Sequence, residues 1–150
     1  MSERPIPIPD QDSTPFWEAT AERRLLVQHC NNCGRNQLYP RLYCRYCHID
    51  DLDWEEASGR GRIYSVTVVR RAPSPAFADA VPYPIALVDL EEGPRVMANI
   101  LDAAPDEVAI GQAVTLDWIA VADDLSLPAF RLAAGDAVDP TAEGARSTAP

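Results

Sequence analysis

The sequence lacks lysine altogether, so all 13 basic residues are arginine, and it has only two histidines. No serine lies in the Gly-x-Ser-x-Gly arrangement of a nucleophile elbow, and a Ser-His-Asp set is hard to assemble from the residues present. No run approaches the roughly 20 apolar residues of a membrane helix. Residues 1–10 alternate proline with isoleucine instead of forming the apolar core of a signal peptide. These absences predict a cytoplasmic protein and argue against a nucleophilic hydrolase.

Length and charge balance narrow the class of protein further. The chain has 150 residues, a net charge of −10 at pH 7 and 47% hydrophobic residues. This length suits one domain or two very small modules, and the apolar content suffices for a core. Nucleic acid is bound mainly by cationic side chains that neutralise phosphates, so the acidic balance argues against nucleic-acid binding as the main activity.

Four cysteines form two Cys-x2-Cys pairs separated by ten residues, Cys30 with Cys33 and Cys44 with Cys47. Two such pairs supply the four thiolates that zinc prefers in a tetrahedral site, and they leave no position for water or substrate. The prediction is therefore one structural zinc per chain, with no thiol left as a nucleophile. Iron in a rubredoxin-like site would use the same ligands, while redox dithiols or disulfides fit less well.

The residue after each cysteine pair is expected in the left-handed backbone region. Gly34 follows the first pair and suits that conformation, whereas His48 follows the second and adopts it less readily than glycine. His29 also adjoins a ligand. Both histidines are expected at the surface or behind the ligands, and not among them.

The remaining pattern predicts a mainly β protein. Thr14 and Pro15 indicate the start of a short helix that continues to Arg24, and residues 25–27 and 36–39 are expected to be strands leading into the cysteine pairs. Five further strands are predicted at residues 62–70, 84–90, 95–101, 114–119 and 129–133. This number and the long loop after the first strand favour a five-stranded barrel of the oligonucleotide/oligosaccharide-binding (OB) type, with a β-sandwich as the alternative.

The chain is expected to divide into four segments. They are an amino-terminal arm and helix at 1–24, a zinc ribbon at 25–53, an OB-fold at 54–135 and a disordered tail at 136–150. Three prolines within residues 1–12 favour an extended arm, and the tail has almost nothing apolar to bury.

Arginines cluster in two stretches that contain no acidic residue. Residues 23–49 carry five of them, and residues 57–78 carry four. Arginine offers a fork of donors that matches phosphate, so both stretches are candidates for an anionic ligand such as the phosphates of coenzyme A. Ordinary solvated arginines, or pairing with the acids at 50–56, are the alternative.

The order of these motifs resembles a known family. The residues that carry the resemblance span about residues 13–133 and are Phe16, Trp17, Cys30, Cys33, Gly34, Pro40, Arg41, Cys44, Cys47, Trp54, Gly59, Arg60, Gly61, Tyr64, Ser65, Thr67, Pro84, Leu90, Gly93, Arg95 and Gly111. Their combination resembles the zinc-ribbon plus OB-fold proteins long known as a domain of unknown function. His48 departs from the glycine that is common after the second cysteine pair in that family.

The resemblance implies an acyl-CoA-associated partner of thiolase-superfamily enzymes. These enzymes include thiolases, acyltransferases related to hydroxymethylglutaryl-CoA synthase, and lipid-transfer-protein-like aldolases that shorten steroid side chains. The catalytic residues would then belong to the partner, and this chain would be a non-catalytic subunit of a hetero-oligomer that stabilises the partner and helps to bind the acyl-CoA. Its barrel would contact protein and acyl-CoA, and neither nucleic acid nor a membrane.

Eight residues are candidates for contact with that partner or its ligand. Phe16 and Trp17 are expected to pack with the proline arm on the partner, or else to cover the core of this chain. The arginines are expected to meet coenzyme A or acidic residues of the partner, and they are Arg23, Arg24, Arg41, Arg45, Arg60 and Arg62. A nucleic-acid-binding zinc-ribbon OB protein, whose charge would be unusual, and an independent enzyme stay open as alternatives.

Overall fold

The computed structural model describes residues 4–134, which form a mainly β molecule with one short α-helix, as expected. Helix α1 spans Thr14–Ala21, with Ser13 at the N-cap and Pro15 in the first turn, where the missing N–H costs nothing. The helix ends before the expected Arg24. The reason is that Arg23 adopts a left-handed backbone with φ 57°, which turns the chain away from the helix axis.

Three antiparallel strands form the ribbon sheet, in the order β2-β1-β3. β1 spans Leu26–Cys30, β2 spans Asn36–Gln37 and β3 spans Leu52–Glu56. The first two coincide with predicted strands, but the sequence predicts no strand at β3, which pairs along the whole of β1. Pairing with β1 overrides the low strand propensity of its acidic residues. The ribbon sheet therefore extends beyond the expected boundary at residue 53.

Five strands close into a barrel in the order β4-β5-β6-β8-β7, which confirms the expected OB-fold. They are β4 Arg60–Val69, β5 Tyr83–Leu90, β6 Arg95–Leu101, β7 Ala113–Ala122 and β8 Leu125–Leu132. All five lie where the sequence predicts strands. β8 starts earlier than the expected residue 129 because it pairs with β7 from the turn onward. The long loop between β4 and β5 contains one turn of 3-10 helix, Pro75–Phe77.

One hydrophobic core joins the barrel to the ribbon. Phe130, Ile63 and Val88 fill the barrel and are at most 1% exposed. Leu25 and Val27, from the chain that enters the ribbon, belong to the same cluster of buried side chains. Helix α1 packs against β8 and closes this core from outside the barrel. The ribbon and the barrel are thus held together by apolar contact.

Two expectations concern the chain as a whole. In the part of the chain that the structure describes, no helix is long and apolar enough to cross a membrane. The predicted disordered tail, residues 136–150, lies outside the described residues. The division of the chain into four segments stays a prediction.

Candidate metal centre and ligand surface

The four cysteines of the ribbon come together in space. They are Cys30, Cys33, Cys44 and Cys47, and their sulfur atoms all lie within 4.8 Å of one another. The sulfurs of Cys30 and Cys47 are 3.6 Å apart, as are those of Cys33 and Cys44. A tetrahedral site with metal–sulfur bonds of about 2.3 Å requires sulfur–sulfur distances of roughly 3.8 Å. The set therefore fits a structural metal ion that is coordinated by protein ligands alone.

Both cysteine pairs have the same backbone construction. The N–H of Gly34 donates to the carbonyl of Cys30 at 2.8 Å, and the N–H of His48 donates to the carbonyl of Cys44 at 2.9 Å. Gly34 has φ +69° and His48 has φ +62°. The left-handed position after each pair is therefore confirmed, and His48 carries its side chain in a region that favours glycine.

The neighbouring sulfurs and the surrounding backbone N–H groups shift the pKa values of the cysteine thiols. At Cys44, burial acts to raise the pKa of the thiol, but N–H groups of Cys47 and Tyr46 and the neighbouring sulfurs lower it to about 6. At Cys33, a backbone hydrogen bond from Arg35 acts to lower the pKa, yet burial and the other three sulfurs raise it to about 12. Thiolates packed this closely repel one another, and a divalent cation removes that repulsion.

Two buried glutamines hold the second cysteine pair against the sheet. Gln28 and Gln37 are at most 5% exposed, and Nε2 of Gln37 donates to Oε1 of Gln28 at 2.8 Å. The N–H of Arg41 donates to Oε1 of Gln28 at 2.9 Å, and the N–H of Arg45 donates to Oε1 of Gln37 at 2.7 Å. These bonds fix the chain on both sides of Cys44. Sequence reasoning missed both glutamines, because nothing local distinguishes a buried glutamine from an exposed one.

Neither histidine belongs to the sulfur cluster. Within residues 4–134, the group that could hold a metal ion consists of the four cysteines. Nδ1 of His29 lies 2.7 Å from Oδ1 of Asn36, and His48 is exposed. Nδ2 of Asn36 donates to the carbonyl of Glu92 at 3.0 Å, so the hydrogen-bonded chain that starts at His29 reaches the β5–β6 turn of the barrel. Asn36 therefore bridges the ribbon and the barrel, and His29 lies behind it in the ribbon sheet.

Three of the candidate arginines are already engaged within the chain. Arg24 pairs with Glu22 at 2.7 Å, and Arg60 pairs with Glu91 at 2.8 Å. Arg62 donates to a backbone carbonyl of the loop before β7 at 3.1 Å. Arg60 and Glu91 also stabilise each other's charged forms. Their hydrogen bond raises the pKa of Arg60 and lowers the pKa of Glu91. Because these guanidinium groups already have partners within the chain, they are less suited to bind an anionic ligand.

Arg41 and Arg45 lie together on the exposed side of the ribbon. With Tyr43 and His48 they line an open depression of about 580 Å³, which Asp12 also borders. Among residues 4–134 neither guanidinium forms an ion pair with a carboxylate. Of the predicted arginines, this pair therefore has the arrangement that best suits an anionic ligand.

The structure places the two adjacent aromatic residues of α1 differently. Phe16 is 3% exposed and belongs to the core, while Trp17 is half-buried and packs against it. Their rings meet edge to face, with centroids 5.0 Å apart. Phe16 thus covers the chain's own core, whereas Trp17 keeps part of its surface for other contacts. Arg23, just beyond α1, is exposed.

Sequence reasoning also missed a group of exposed apolar side chains near the contact of ribbon and barrel. Tyr39, Tyr64 and Met97 are 50%, 51% and 60% exposed. The signal for Met97 is alternation, because its neighbours Val96 and Ala98 are buried and it must point outward.

A ribbon with four cysteines seated on an OB barrel defines the class of this protein. Within that class, residues 17–53 match the family model described as "ChsH2, rubredoxin-like zinc ribbon domain". Residues 54–118 match the model described as "ChsH2, C-terminal OB-fold domain". The chain belongs to this family of ChsH2 and DUF35 proteins, as the resemblance of its motifs predicts.

Three similar proteins illustrate the family. A chain of the solved structure "Ltp2-ChsH2(DUF35) aldolase" has 39% sequence identity and a TM-score of 0.76, and the match covers 85% of this chain and 98% of that one. A "DUF35 domain-containing scaffold protein" of Methanocaldococcus jannaschii is 35% identical over 72% of this chain and 77% of its own length. A "Probable enoyl-CoA hydratase alpha subunit" of Thermomonospora curvata is 41% identical over 85% of this chain. The match covers only 40% of that longer relative.

Proposed function

We propose that this chain is a non-catalytic accessory subunit of an acyl-CoA-processing enzyme, with a thiolase-like aldolase, thiolase or acyltransferase as its partner. The observation that carries the proposal is the match to nearly the whole of a chain in a structure described as an Ltp2-ChsH2(DUF35) aldolase. An aldolase is the partner that agrees best with the description of this relative, and the resemblance of the motifs adds steroid side chains as its substrate class. The scaffold name of the archaeal relative also supports an accessory role.

The chemistry of the side chains supports a subunit without its own active site. The four cysteines face one another in the metal centre. Within residues 4–134, Nδ1 of His29 lies beside Asn36, and no hydrogen bond joins either histidine to a serine or a cysteine, which is consistent with the proposed accessory role. The reacting groups are therefore assigned to the partner.

Zinc is the metal that we assign to the ribbon, at one ion per chain. Four thiolate ligands at tetrahedral spacing suit zinc, and a site with four protein ligands is structural. The residues that would hold it are Cys30, Cys33, Cys44 and Cys47. When bound, the ion would offset half of the charge of the four thiolates, leaving the centre at −2, and would order the loop that carries Arg41 and Arg45.

Those two arginines are the proposed contact with the acyl-CoA. Coenzyme A carries phosphates, and Arg41 and Arg45 border a depression without an ion-pair partner of their own among the described residues. Arg24 and Arg60 contribute less, because Glu22 and Glu91 already neutralise them.

A hydratase is the second candidate partner, because the Thermomonospora curvata relative is named as a subunit of a probable enoyl-CoA hydratase. Both candidates keep this chain as an accessory subunit. They differ in whether the partner cleaves a carbon–carbon bond or adds water to an enoyl-CoA. Assays of both reactions on one purified complex distinguish them.

The test is co-expression with a thiolase-like protein of the same organism, followed by size-exclusion chromatography and an acyl-CoA cleavage assay. We expect the two chains to co-elute and the complex to be active. The double variant Arg41→Ala/Arg45→Ala is expected to raise the KM for acyl-CoA about tenfold while the complex stays intact. Arg24→Ala/Arg60→Ala removes two arginines that are already paired with Glu22 and Glu91, so it is the matched control and should change KM much less.

Two results would contradict this assignment. Failure of the wild-type chain to co-elute with the thiolase-like protein would count against the accessory role. Tight, salt-sensitive binding of an oligonucleotide in a filter assay would favour the nucleic-acid alternative instead.

A further inference from the structure

A pocket opens where β5 and β6 meet the long loop between β4 and β5. It has a volume of about 230 Å³, and its lining includes Phe77 from the loop, Tyr83 on β5 and Asn99 on β6. Because β5 and β6 are the second and third strands of the barrel, the pocket lies in the region where OB folds bind their ligands. The described residues that line it and those that line the depression at Arg41 and Arg45 have no member in common, so the two sites are separate.

Most of the pocket lining is apolar. Nine of the twelve described lining residues are aliphatic, aromatic or proline, and the other three are Arg4, Asn99 and Asp102. The ring centroids of Phe77 and Tyr83 are 6.3 Å apart, and the rings are tilted by 32°. An apolar cavity of about 150 Å³ holds a benzene ring, so this pocket of about 230 Å³ has room for two fused rings. The lining suits a planar apolar group and offers a sugar few hydrogen-bonding partners.

The acidic side chain at the pocket already has a partner. Asp102 forms an ion pair with Arg131 on β8, which also pairs with Asp117. The side chain of Asp102 is 72% exposed, so water and salt screen its remaining charge. Asp102 therefore does little to repel an anionic group that binds deeper in the pocket.

The basic side chain at the pocket keeps its hydrogen-bond donors. The guanidinium carbon of Arg4 lies over the ring of Phe77, 5.3 Å from its centroid. This cation–π contact holds the charge at the pocket and uses none of the five N–H donors. Among residues 4–134, Arg4 forms neither an ion pair with a carboxylate nor a side-chain hydrogen bond. A guanidinium with free donors beside aromatic rings is well suited to bind a carboxylate.

The amide of Asn99 supplies a second donor. Its neighbours Ala98 and Ile100 are buried in the barrel, so Asn99 points outward from β6, where it is half-buried and lines the pocket. In the part of the chain that the structure describes, this side-chain amide has no hydrogen-bond partner. A half-buried amide of this kind gains a hydrogen bond when a ligand brings an acceptor. Arg4 and Asn99 thus give one apolar pocket a charged and a neutral donor.

We propose that this pocket binds a small carboxylate that carries a planar apolar ring system. The rings of the ligand lie against Phe77 and Tyr83, and its carboxylate accepts hydrogen bonds from the guanidinium of Arg4 and from Nδ2 of Asn99. A strand of nucleic acid needs a series of cations and stacking rings, whereas this pocket offers one guanidinium and room for one ring system. The pocket is separate from the arginines assigned to acyl-CoA, so the proposal goes beyond the accessory role and does not depend on it.

The test is a titration of the full chain with three small molecules, followed by two-dimensional NMR of its amide groups. Naphthoate is the probe, naphthamide is its uncharged analogue, and acetate is a carboxylate without a ring. We expect naphthoate to shift the side-chain amide signals of Asn99 saturably and to bind at least tenfold more tightly than either analogue. Arg4→Gln should remove the preference for naphthoate over naphthamide. Arg23→Gln changes an exposed arginine beyond α1 and is the matched control, which should keep that preference.

Other results would overturn the proposal in distinguishable ways. If naphthoate shifts no signal of the pocket, the pocket is not its binding site. If naphthamide binds as tightly as naphthoate, or if folded Arg4→Gln binds naphthoate like wild type, the carboxylate is wrongly assigned. If acetate binds as tightly as naphthoate, the rings contribute nothing. Tighter binding of a thymidine oligonucleotide at the same signals would assign the pocket to nucleic acid instead. The melting temperature shows that each variant is folded.

Discussion

The ribbon and the barrel bury different kinds of side chain. In the barrel the fully buried residues are aromatic and aliphatic, such as Phe130, Ile63 and Val88. In the ribbon they include Cys30, Cys44 and Gln37. The barrel is therefore stabilised mainly by removal of apolar surface from water, and the ribbon by its metal ligands and a polar network.

The ribbon and the barrel also differ in the side chains that they expose at the surface. The ribbon presents Arg41 and Arg45 at an open depression, while the barrel exposes Tyr64 and Met97 on a face where Arg95 pairs with Asp89. Tyr39 connects the two through its hydrogen bond to Met97. The exposed arginine pair that we propose for an anionic ligand therefore lies in the region that carries the four cysteines.

Loss of one metal ligand is expected to have the largest effect, and to be confined to the ribbon. Structural zinc sites contribute roughly 10 kcal/mol or more of binding free energy. Cys30→Ser should therefore remove the zinc, lower the solubility and abolish amide protection in β1. Because β5 and β6 belong to the apolar barrel, their amides should stay protected in hydrogen exchange.

Elemental analysis and hydrogen-exchange mass spectrometry of wild type and variant provide the measurement. Native protein without metal would contradict the assignment of the centre. Simultaneous loss of protection in β1 and β5 would show that the ribbon and the barrel unfold as one unit.

A cavity in the barrel is expected to destabilise the barrel and to leave the metal centre of the ribbon intact. Its effect on the free energy of unfolding should be smaller than that of losing a metal ligand. Phe130→Ala removes a side chain that is 0% exposed, and such truncations lower the free energy of unfolding by about 3–5 kcal/mol. The half-buried Phe77 is the matched control, for which Phe77→Ala should cost much less. Denaturant unfolding followed by tryptophan fluorescence measures both, and zinc content should stay at the wild-type level. Equal losses for the two variants would contradict the assignment of the core.

The smallest expected effect compares the two cysteine pairs with each other. Gly34→Ala introduces a side chain at φ +69°, where its Cβ would meet no neighbouring atom, so only backbone strain contributes. It should lower the free energy of unfolding by about 1 kcal/mol. His48→Gly relieves the same strain at φ +62° and should raise the free energy slightly, because the more flexible unfolded chain offsets part of the gain. Thermal unfolding of both variants tests the opposite signs, and a loss at His48→Gly would show that the imidazole itself stabilises the turn.

Local spacing made much of the fold predictable. Two cysteine pairs at short spacing predict the metal centre, since each tight turn already brings two sulfurs together. The five barrel strands are predictable from β-branched runs between turns, as at residues 62–70. β3 was not predicted, because its acidic residues have a low strand propensity and the strand forms by pairing with β1.

The candidate site was predictable only in part. The position of Arg41 and Arg45 in one depression depends on hydrogen bonds from their N–H groups to Gln28 and Gln37. Pairing of Arg24 and Arg60 with acids was likewise undetermined before the chain folded. Phe16 is a further example, because two adjacent aromatics on a short helix do not reveal which of them faces the core.

The sequence by itself determined the metal ligands, the main strands and the acidic charge, because each depends on residue type and short spacing. Tertiary structure alone decided which arginines pair with acids, which aromatic of α1 is buried, and that Leu87 lies opposite Met97 in the barrel. The physical reason is that ion pairing and exposure depend on neighbours distant in the chain. Barrel closure and the seating of the ribbon bring those neighbours together.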